Sequence, residues 1–288
     1  MDLHIIIYPK CNLKCSYCFY NVNSLSYKKN KLDLASIQTW IDKSNGQIEN
    51  VTFTGGEPTL HRNFLEIVSQ ISDQVESIKI ISNGTMLTRE MAESLKQYKA
   101  KIDISLDSIT SNLHEEIRGG FKKTINGINI AKEIGILSGI NTVLTTSNLD
   151  QVDDLIAFAR LKETKINFSP VDIEESNSLN LLSLSLQEKN SLLRKLENYY
   201  CDDRNHYFKL FYLYLHNNKL PNFTKCYFSL RNIILDSDGN FYPCYPRKDI
   251  QNSCLGSIFN NSFEDVMLKL QEMKLGSCFK LECFGLYQ

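Results

Sequence analysis

The chain has 288 residues, 42% hydrophobic and 23% charged, with a formal net charge of -1. That length carries a full core in one large domain or two modest ones, and so even a balance gives no electrostatic footprint for nucleic acid or an anionic membrane. No run is long enough to span a bilayer, and the apolar stretch at 3–8 is too short for a secretory signal, so the chain is read as cytoplasmic, with neither nucleic acid nor membrane as partner.

Runs dense in Ile, Val and Thr predict strands over 3–8, 50–54, 77–82, 102–106, 138–145 and 165–169. Helical patterns fall between them, over 33–44, 62–74, 88–98, 115–134 and 150–160. Asp33 opens the first as a suitable N-cap. Leu149, Val152, Leu155, Ile156 and Ala159 make a helical stripe in the last. Six strands alternating with helices imply βαβ units and a parallel sheet. The predicted fold class is therefore α/β, a partial (β/α)6 barrel of the TIM type. Beyond 170 the alternation fades. Residues 184–200 read as one helix, and the aromatic-rich segment 206–223 reads as packed, in helical form. Ile233–Leu235 and Asn240–Tyr242 are two strand patterns around an Asp-Gly turn, a hairpin signal.

There are nine cysteines. Cys11, Cys15 and Cys18 crowd the N-terminus, Cys201 stands alone, and Cys226, Cys244, Cys254, Cys278 and Cys283 close the chain. An odd number without an export signal argues against a disulfide framework and points to two thiolate sites. The first three follow the first strand, so they sit at the C-terminal face of the barrel, where such folds place active sites. Structural zinc usually takes four protein ligands. An iron–sulfur cube needs one ligand per iron, and three cysteines leave one iron open for a non-protein ligand.

Cys-x3-Cys-x2-Cys with Tyr17 before the last cysteine resembles the signature of the radical S-adenosylmethionine (SAM) enzymes. Four further stretches match in order: TGGEP (54–58), ISNGT (81–85) and ISLDS (104–108), closing the second to fourth strands, and RGGF (118–121), opening the next helix. The resemblance covers residues 3–170. It implies a 4Fe-4S cluster on Cys11, Cys15 and Cys18 whose open iron binds the amino and carboxylate groups of SAM. One electron then cleaves SAM to methionine and a 5′-deoxyadenosyl radical, which takes a hydrogen atom from the substrate. The resemblance also implies SAM contacts at Tyr17, at the amino-group loop Gly55, Gly56, Glu57 and Pro58, along the ribose at Ser82 and Asn83, and at Ser105. Arg118 would face the SAM carboxylate, and serves equally as a surface ion pair. On chemistry alone, the glycines permit close backbone approach to a ligand, Glu57 accepts from an ammonium group and Pro58 stiffens the turn. Asp107 serves equally as a cap for the next helix. Of the five histidines only His61, close to the TGGEP loop, stands out.

The spacing Cys226-x12-Gly239-x4-Cys244 resembles the start of the SPASM and twitch extensions of the same superfamily, whose hairpin holds an auxiliary 4Fe-4S cluster. Five cysteines are too few for two such clusters, so the likeness is to the shorter twitch form, with ligands Cys226, Cys244, Cys278 and Cys283. Cys254 is a fifth candidate or a buried apolar residue, and zinc on the same four cysteines is the chemical rival. Cys201 reads as a plain thiol. The implied division is a radical SAM domain over 1–210 and an auxiliary-cluster domain over 211–288. The implied enzyme modifies a ribosomally made peptide by crosslink, thioether or oxidation, with a flavodoxin- or ferredoxin-like electron donor. A separate peptide-recognition protein would bring the substrate, since the catalytic fold begins at residue 3. The other readings are dehydrogenation or rearrangement of a small metabolite, radical activation of a partner enzyme, and a cluster-holding binding protein.

Overall fold

The structure, a computed structural model, describes residues 1–18, 32–200, 206–217, 231–245 and 253–272. The first part alternates: β1 (Asp2–Tyr8), α1 (Leu34–Lys43), β2 (Asn50–Gly55), α2 (Phe64–Ile71), β3 (Ser77–Ser82), α3 (Arg89–Gln97), β4 (Ala100–Ser105), α4 (Ser111–Ile117), α5 (Phe121–Ile134), β5 (Leu137–Leu144), α6 (Val152–Leu161) and β6 (Lys165–Pro170). Then come α7 (Leu186–Tyr199), α8 (His206–Asn217), β7 (Asn232–Leu235), β8 (Asn240–Tyr242), β9 (Gly256–Ser257) and α9 (Phe263–Glu272).

All the described strands join one sheet in the order β6-β5-β4-β3-β2-β1-β7-β8-β9. β1 to β6 pair parallel, each with its sequence neighbour, which is the partial, unclosed barrel expected. Their C-terminal ends, and the loops that follow, therefore line one edge. β1 lends its other side to β7, also parallel, with Leu3 opposite Ile233 and Ile5 opposite Leu235. β8 and β9 continue antiparallel, so the predicted hairpin extends the barrel sheet.

Successive strand side chains point to opposite faces, and β1 shows it. Leu3, Ile5 and Ile7 enter the main core, while Ile6 packs on the other face with Ile234 and Cys244. The predicted stripe on α6 is buried at Val152, Leu155, Ile156 and Ala159. Asp33 caps α1 by accepting from Ser36 N–H at 2.8 Å. Ser185 and Glu188 close a capping box on α7. Trp40 of α1 stacks on Phe241 of β8, centroids 4.4 Å apart, and lies 5.2 Å from Phe263 of α9. One hydrophobic cluster thus runs from Leu3 to Leu270.

One expected element is different. The helix read over 115–134 is two helices, broken at Gly119 and Gly120, which are left-handed at φ 88° and 74°. A left-handed pair cannot continue a right-handed helix, and glycine adopts it without a Cβ penalty. The break leaves Arg118 as the C-cap of α4, facing the loop that follows β1. Among the described residues no helix is long and apolar enough to cross a membrane.

Candidate active site

The loop over 9–18 leaves the C-terminal end of β1 and carries the three thiols, Cys15 buried, Cys11 and Cys18 half-buried. Its backbone is fixed by the loop after β2. Gly56 N–H donates to Tyr8 O at 2.8 Å and Glu57 N–H to Lys10 O at 2.9 Å. A Cβ on Gly55 would stand 2.4 Å from Tyr8 O, and one on Gly56 2.3 Å from Lys10 O. The close approach expected toward a ligand is therefore an approach to the chain's own cysteine loop. Pro58 begins a short 3-10 turn, Pro58–Leu60, with Glu57 as its cap.

The Glu57 carboxylate has no exposed surface. Its Oε1 accepts from Thr59 N–H (3.1 Å), Thr59 Oγ1 (2.6 Å) and Ser82 Oγ (2.8 Å), and its Oε2 from Asn83 N–H (2.7 Å). Burial raises its pKa while these four bonds oppose the rise. The Glu57 carboxylate ties the end of β2 to the end of β3. Ser82 also accepts from Gly84 N–H at 2.9 Å. Asn83 turns its amide to the cysteine loop, donating to Asn12 Oδ1 at 2.9 Å and lying 3.7 Å from Cys11 Sγ. Asn12 in turn donates to Thr85 Oγ1 at 2.8 Å.

A second knot forms around Asp107. Tyr17 hydroxyl donates to Asp107 Oδ2, and Arg118 Nη1 donates to both the Tyr17 hydroxyl and, at 3.0 Å, Asp107 Oδ2. The other carboxylate oxygen accepts from Val143 N–H at 2.9 Å. The Asp107 side chain is fully buried and that of Arg118 is 12% exposed. Arg118 is thus in an ion pair, as one of its two readings had it, but a buried one. Asp107 does not cap α4; Thr110 N–H goes to Ser108 Oγ at 2.8 Å. Ser105 ends β4, nearly buried, opposite Asn141 of β5. Both ring nitrogens of His114 and Nε of Arg118 are buried with no hydrogen-bond partner among the described residues.

Burial pushes the Cys15 thiol up to about 11, with Arg118 opposing and Asp107 and the other two sulfurs adding. Burial likewise raises Cys11, which also feels Cys18. The three thiols lie on one short loop. Among the described residues no three His, Cys, Asp or Glu side chains converge on a single metal ion. A cube gives each thiolate its own iron, and three free thiols on one short loop are the donor set such a cluster takes. A pocket of about 300 Å³ opens beside the loop, lined by Asn12, Leu13, Thr85, Glu115, Gly120 and Lys122 among others.

At the far end of the sheet, Cys244 is buried against Ile6 and Ile234. Cys254 is exposed, its thiol donating to Gly256 O at 3.4 Å, which corrects its reading as a buried apolar residue. Cys201, Cys226, Cys278 and Cys283 lie outside the described residues. His61 is absorbed locally, stacked edge-on to Tyr8 with its Nδ1 accepting from Asn63 N–H. The sequence reading missed Asn12, Thr59, Thr85 and Asn148. The last is buried and donates to Asp107 O (3.0 Å) and Val143 O (2.9 Å). Their only signal is a short polar side chain just past a strand end or between two cysteines.

Known proteins resemble this chain in sequence and in fold. The family described as Radical SAM superfamily matches residues 5–159. "Uncharacterized protein MJ0907" of Methanocaldococcus jannaschii is 28% identical over 95% of this chain and 92% of its own length. The cysteine-type anaerobic sulfatase-maturating enzyme of Clostridium novyi is 26% identical over 91% of this chain and 80% of that one. Molybdenum cofactor biosynthesis protein 1 of Drosophila melanogaster is 31% identical over 58% of this chain, which spans only 31% of that protein. Among solved structures, anSMEcpe with bound AdoMet aligns at TM-score 0.73 and 20% identity, covering 94% of this chain and 82% of that one. Streptococcus suis SuiB bound to its precursor peptide SuiA aligns at TM-score 0.72 and 16% identity, covering 98% and 66%. At these identities the likeness to the two structures is one of fold.

Proposed function

Because the chain belongs to the radical SAM superfamily, whose enzymes work with SAM and a 4Fe-4S cluster, we propose that Cys11, Cys15 and Cys18 hold that cluster and that the enzyme removes a hydrogen atom from a peptide. The observation that carries the site is the gathering of three thiols at the end of β1, with the ends of β2, β3 and β4 pinned around them. When bound, the cluster and SAM supply a 5′-deoxyadenosyl radical. This chain's residues do the rest. Gly55 and Gly56 let the β2 loop lie against the thiol loop, and the Glu57 carboxylate locks that loop to Ser82 and Asn83. Gly55–Pro58, with Asn83 and Ser105, would contact bound SAM. The apolar wall of Ile117 and Val171 beside Cys15 keeps water from the reacting groups.

A peptide substrate is favoured by the relatives whose likeness runs through nearly the whole chain. One is named for maturing a sulfatase, and one shares the fold while holding a precursor peptide. The small-molecule reading rests on the molybdenum cofactor relative, matched over 58% of the chain, and on BtrN in complex with AdoMet and 2-DOIA, which shares the fold over 96% of this chain at a lower TM-score of 0.52. In the peptide reading, residues 211–288 form the auxiliary unit, with a second 4Fe-4S cluster on Cys226, Cys244, Cys278 and Cys283. A flavodoxin- or ferredoxin-like protein supplies the electron, and a separate recognition protein presents the peptide.

Iron and sulfide per chain after anaerobic reconstitution test the two sites together. Wild type is expected to hold about eight irons and the Cys11, Cys15, Cys18 triple alanine variant about four. No iron in the variant would remove the auxiliary cluster from the proposal. Release of 5′-deoxyadenosine stimulated by nucleoside triphosphates and not by cysteine-containing peptides would replace the peptide reading with the metabolite one.

A further inference from the structure

We propose that Tyr17, Asp107 and Arg118 form a clamp that sets the cysteine loop in position for its cluster before SAM arrives, and that these three act as positioning residues. The inference rests on the cluster assignment above. Tyr17 stands between Cys15 and Cys18, so whatever fixes its ring fixes the spacing of two thiols. Its hydroxyl meets a carboxylate 90 residues away and a guanidinium 101 residues away. The guanidinium also lies over its ring, 5.9 Å from the centroid.

The far side of the clamp is itself immobilised. Asp107 has its second oxygen on Val143 N–H and its carbonyl on Asn148, tying it to β5 and the turn beyond. Arg118 follows the last residue of α4, where the left-handed glycines redirect the chain. The same place takes a backbone joint, since Ser16 N–H donates to Ile117 O at 2.9 Å. The loop is thus held at two consecutive residues, Ser16 and Tyr17, by two consecutive residues, Ile117 and Arg118. Cys15, Tyr17, Ile117 and Val171 pack as one apolar cluster around the joint, and low dielectric strengthens a satisfied polar network.

This assignment differs from the one the resemblance implies, in which Arg118 faces the SAM carboxylate. A ligand carboxylate that drew the guanidinium away would leave Asp107 buried and unpaired, which is strongly unfavourable. The Nη1 contacts of the clamp form without any ligand, while Arg118 Nε is left without a partner among the described residues.

The two roles separate in measurements made with and without SAM. Tyr17→Phe removes one hydroxyl and no charge; Arg118→Lys keeps the charge but replaces the planar fork with a single point donor. In anaerobically reconstituted full-length protein without SAM, both variants should lose N-terminal iron to a chelator more readily than wild type. The affinity loss expected is about 10- to 100-fold, the range for residues that orient metal ligands, with Tyr17→Phe at the mild end. Chains that keep the cluster should show an unaltered half-saturating SAM concentration, read from the electron paramagnetic resonance change of the reduced cluster. Wild-type iron retention with weakened SAM binding would make these residues SAM contacts and overturn the clamp. So would iron loss accompanied by loss of the far-ultraviolet helical signal in both variants, which would make the network a general fold element. A wild-type chain with no N-terminal iron, checked against the triple alanine variant, would instead remove the cluster assignment itself.

Discussion

The loop after β1 and the β7–β8 hairpin, whose first strand pairs with β1, each bear cysteine, yet they are held by opposite means. The loop is held by buried polar groups. Glu57 and Asp107 show no surface, and Ser82 and Asn83 almost none, with hydrogen bonds joining the ends of β2, β3 and β4 to it. The hairpin is held by packing. Phe241 and Phe263 close on Trp40, and Cys244 lies among Ile6, Ile234 and tyrosines. A polar network is directional, so it fixes a loop to fractions of an ångström and fails when one partner is removed. An apolar contact is non-directional and fails by volume.

Removing one charge from the loop side should break it most. Asp107→Ala leaves the Arg118 guanidinium buried and unpaired, and removal of one partner of such a pair costs about 3–5 kcal/mol. We expect that loss in denaturant unfolding of the apo protein, together with loss of the N-terminal cluster. On the packing side, Trp40→Ala should cost about 3–5 kcal/mol, with the loss falling on the hairpin while the N-terminal cluster survives. If both substitutions remove the same iron, the two regions are not independent and the contrast drawn here fails. Gly56→Ala is smaller. Its Cβ would meet Lys10 O at 2.3 Å, and relief of such a contact by backbone shift costs about 1–3 kcal/mol. The β2 loop should move off the thiol loop, so iron retention should fall further than the melting temperature predicts.

The same contrast explains what the sequence disclosed. Packing leaves periodic traces. The Ile-rich runs of β1, β3 and β4 and the stripe on α6 were readable to within two residues of their observed ends, and the Asp-Gly hairpin was readable from its turn chemistry. Hydrogen-bond partnership leaves no such trace. Glu57, Asp107 and Arg118 were visible as residues at strand and helix ends, but nothing in one sequence says that Glu57 spends its acceptors on Thr59, Ser82 and Asn83. The glycine pair after Arg118 was visible too, and it was read as the opening of a helix when it also closes one. Cys254 lies in a stretch without periodicity, where burial has no signature, and the structure leaves it exposed.

The smallest effect expected is a pH dependence, and it also divides between the two regions. His4 lies beneath the hairpin, its ring bonded to Asn232 and Tyr245, and burial lowers its pKa, with the Asn232 bond and Asp2 opposing. His114 lies behind the clamp, and burial lowers its pKa too, with Asp107 opposing and Arg118 assisting. For a histidine whose folded pKa lies below its unfolded one, the unfolded chain takes the proton first. The stability each contributes is full above the unfolded value of 6.5 and declines as pH falls below it. Unfolding free energies at about pH 7.5 and about pH 6 should therefore differ, with the lower pH less stable. The two histidines differ in what their removal does. Among the described residues no side chain partners either ring nitrogen of His114, so His114→Leu orphans no side-chain group, and it should leave neutral-pH stability unchanged or raised while flattening the pH slope. His4→Leu should flatten the slope as well, but it removes a hydrogen bond from each of Asn232 and Tyr245 and so should lower stability at neutral pH. A His114→Leu protein that is less stable at neutral pH would show that the imidazole has a partner when the cluster loop is assembled, and would place it inside the polar network.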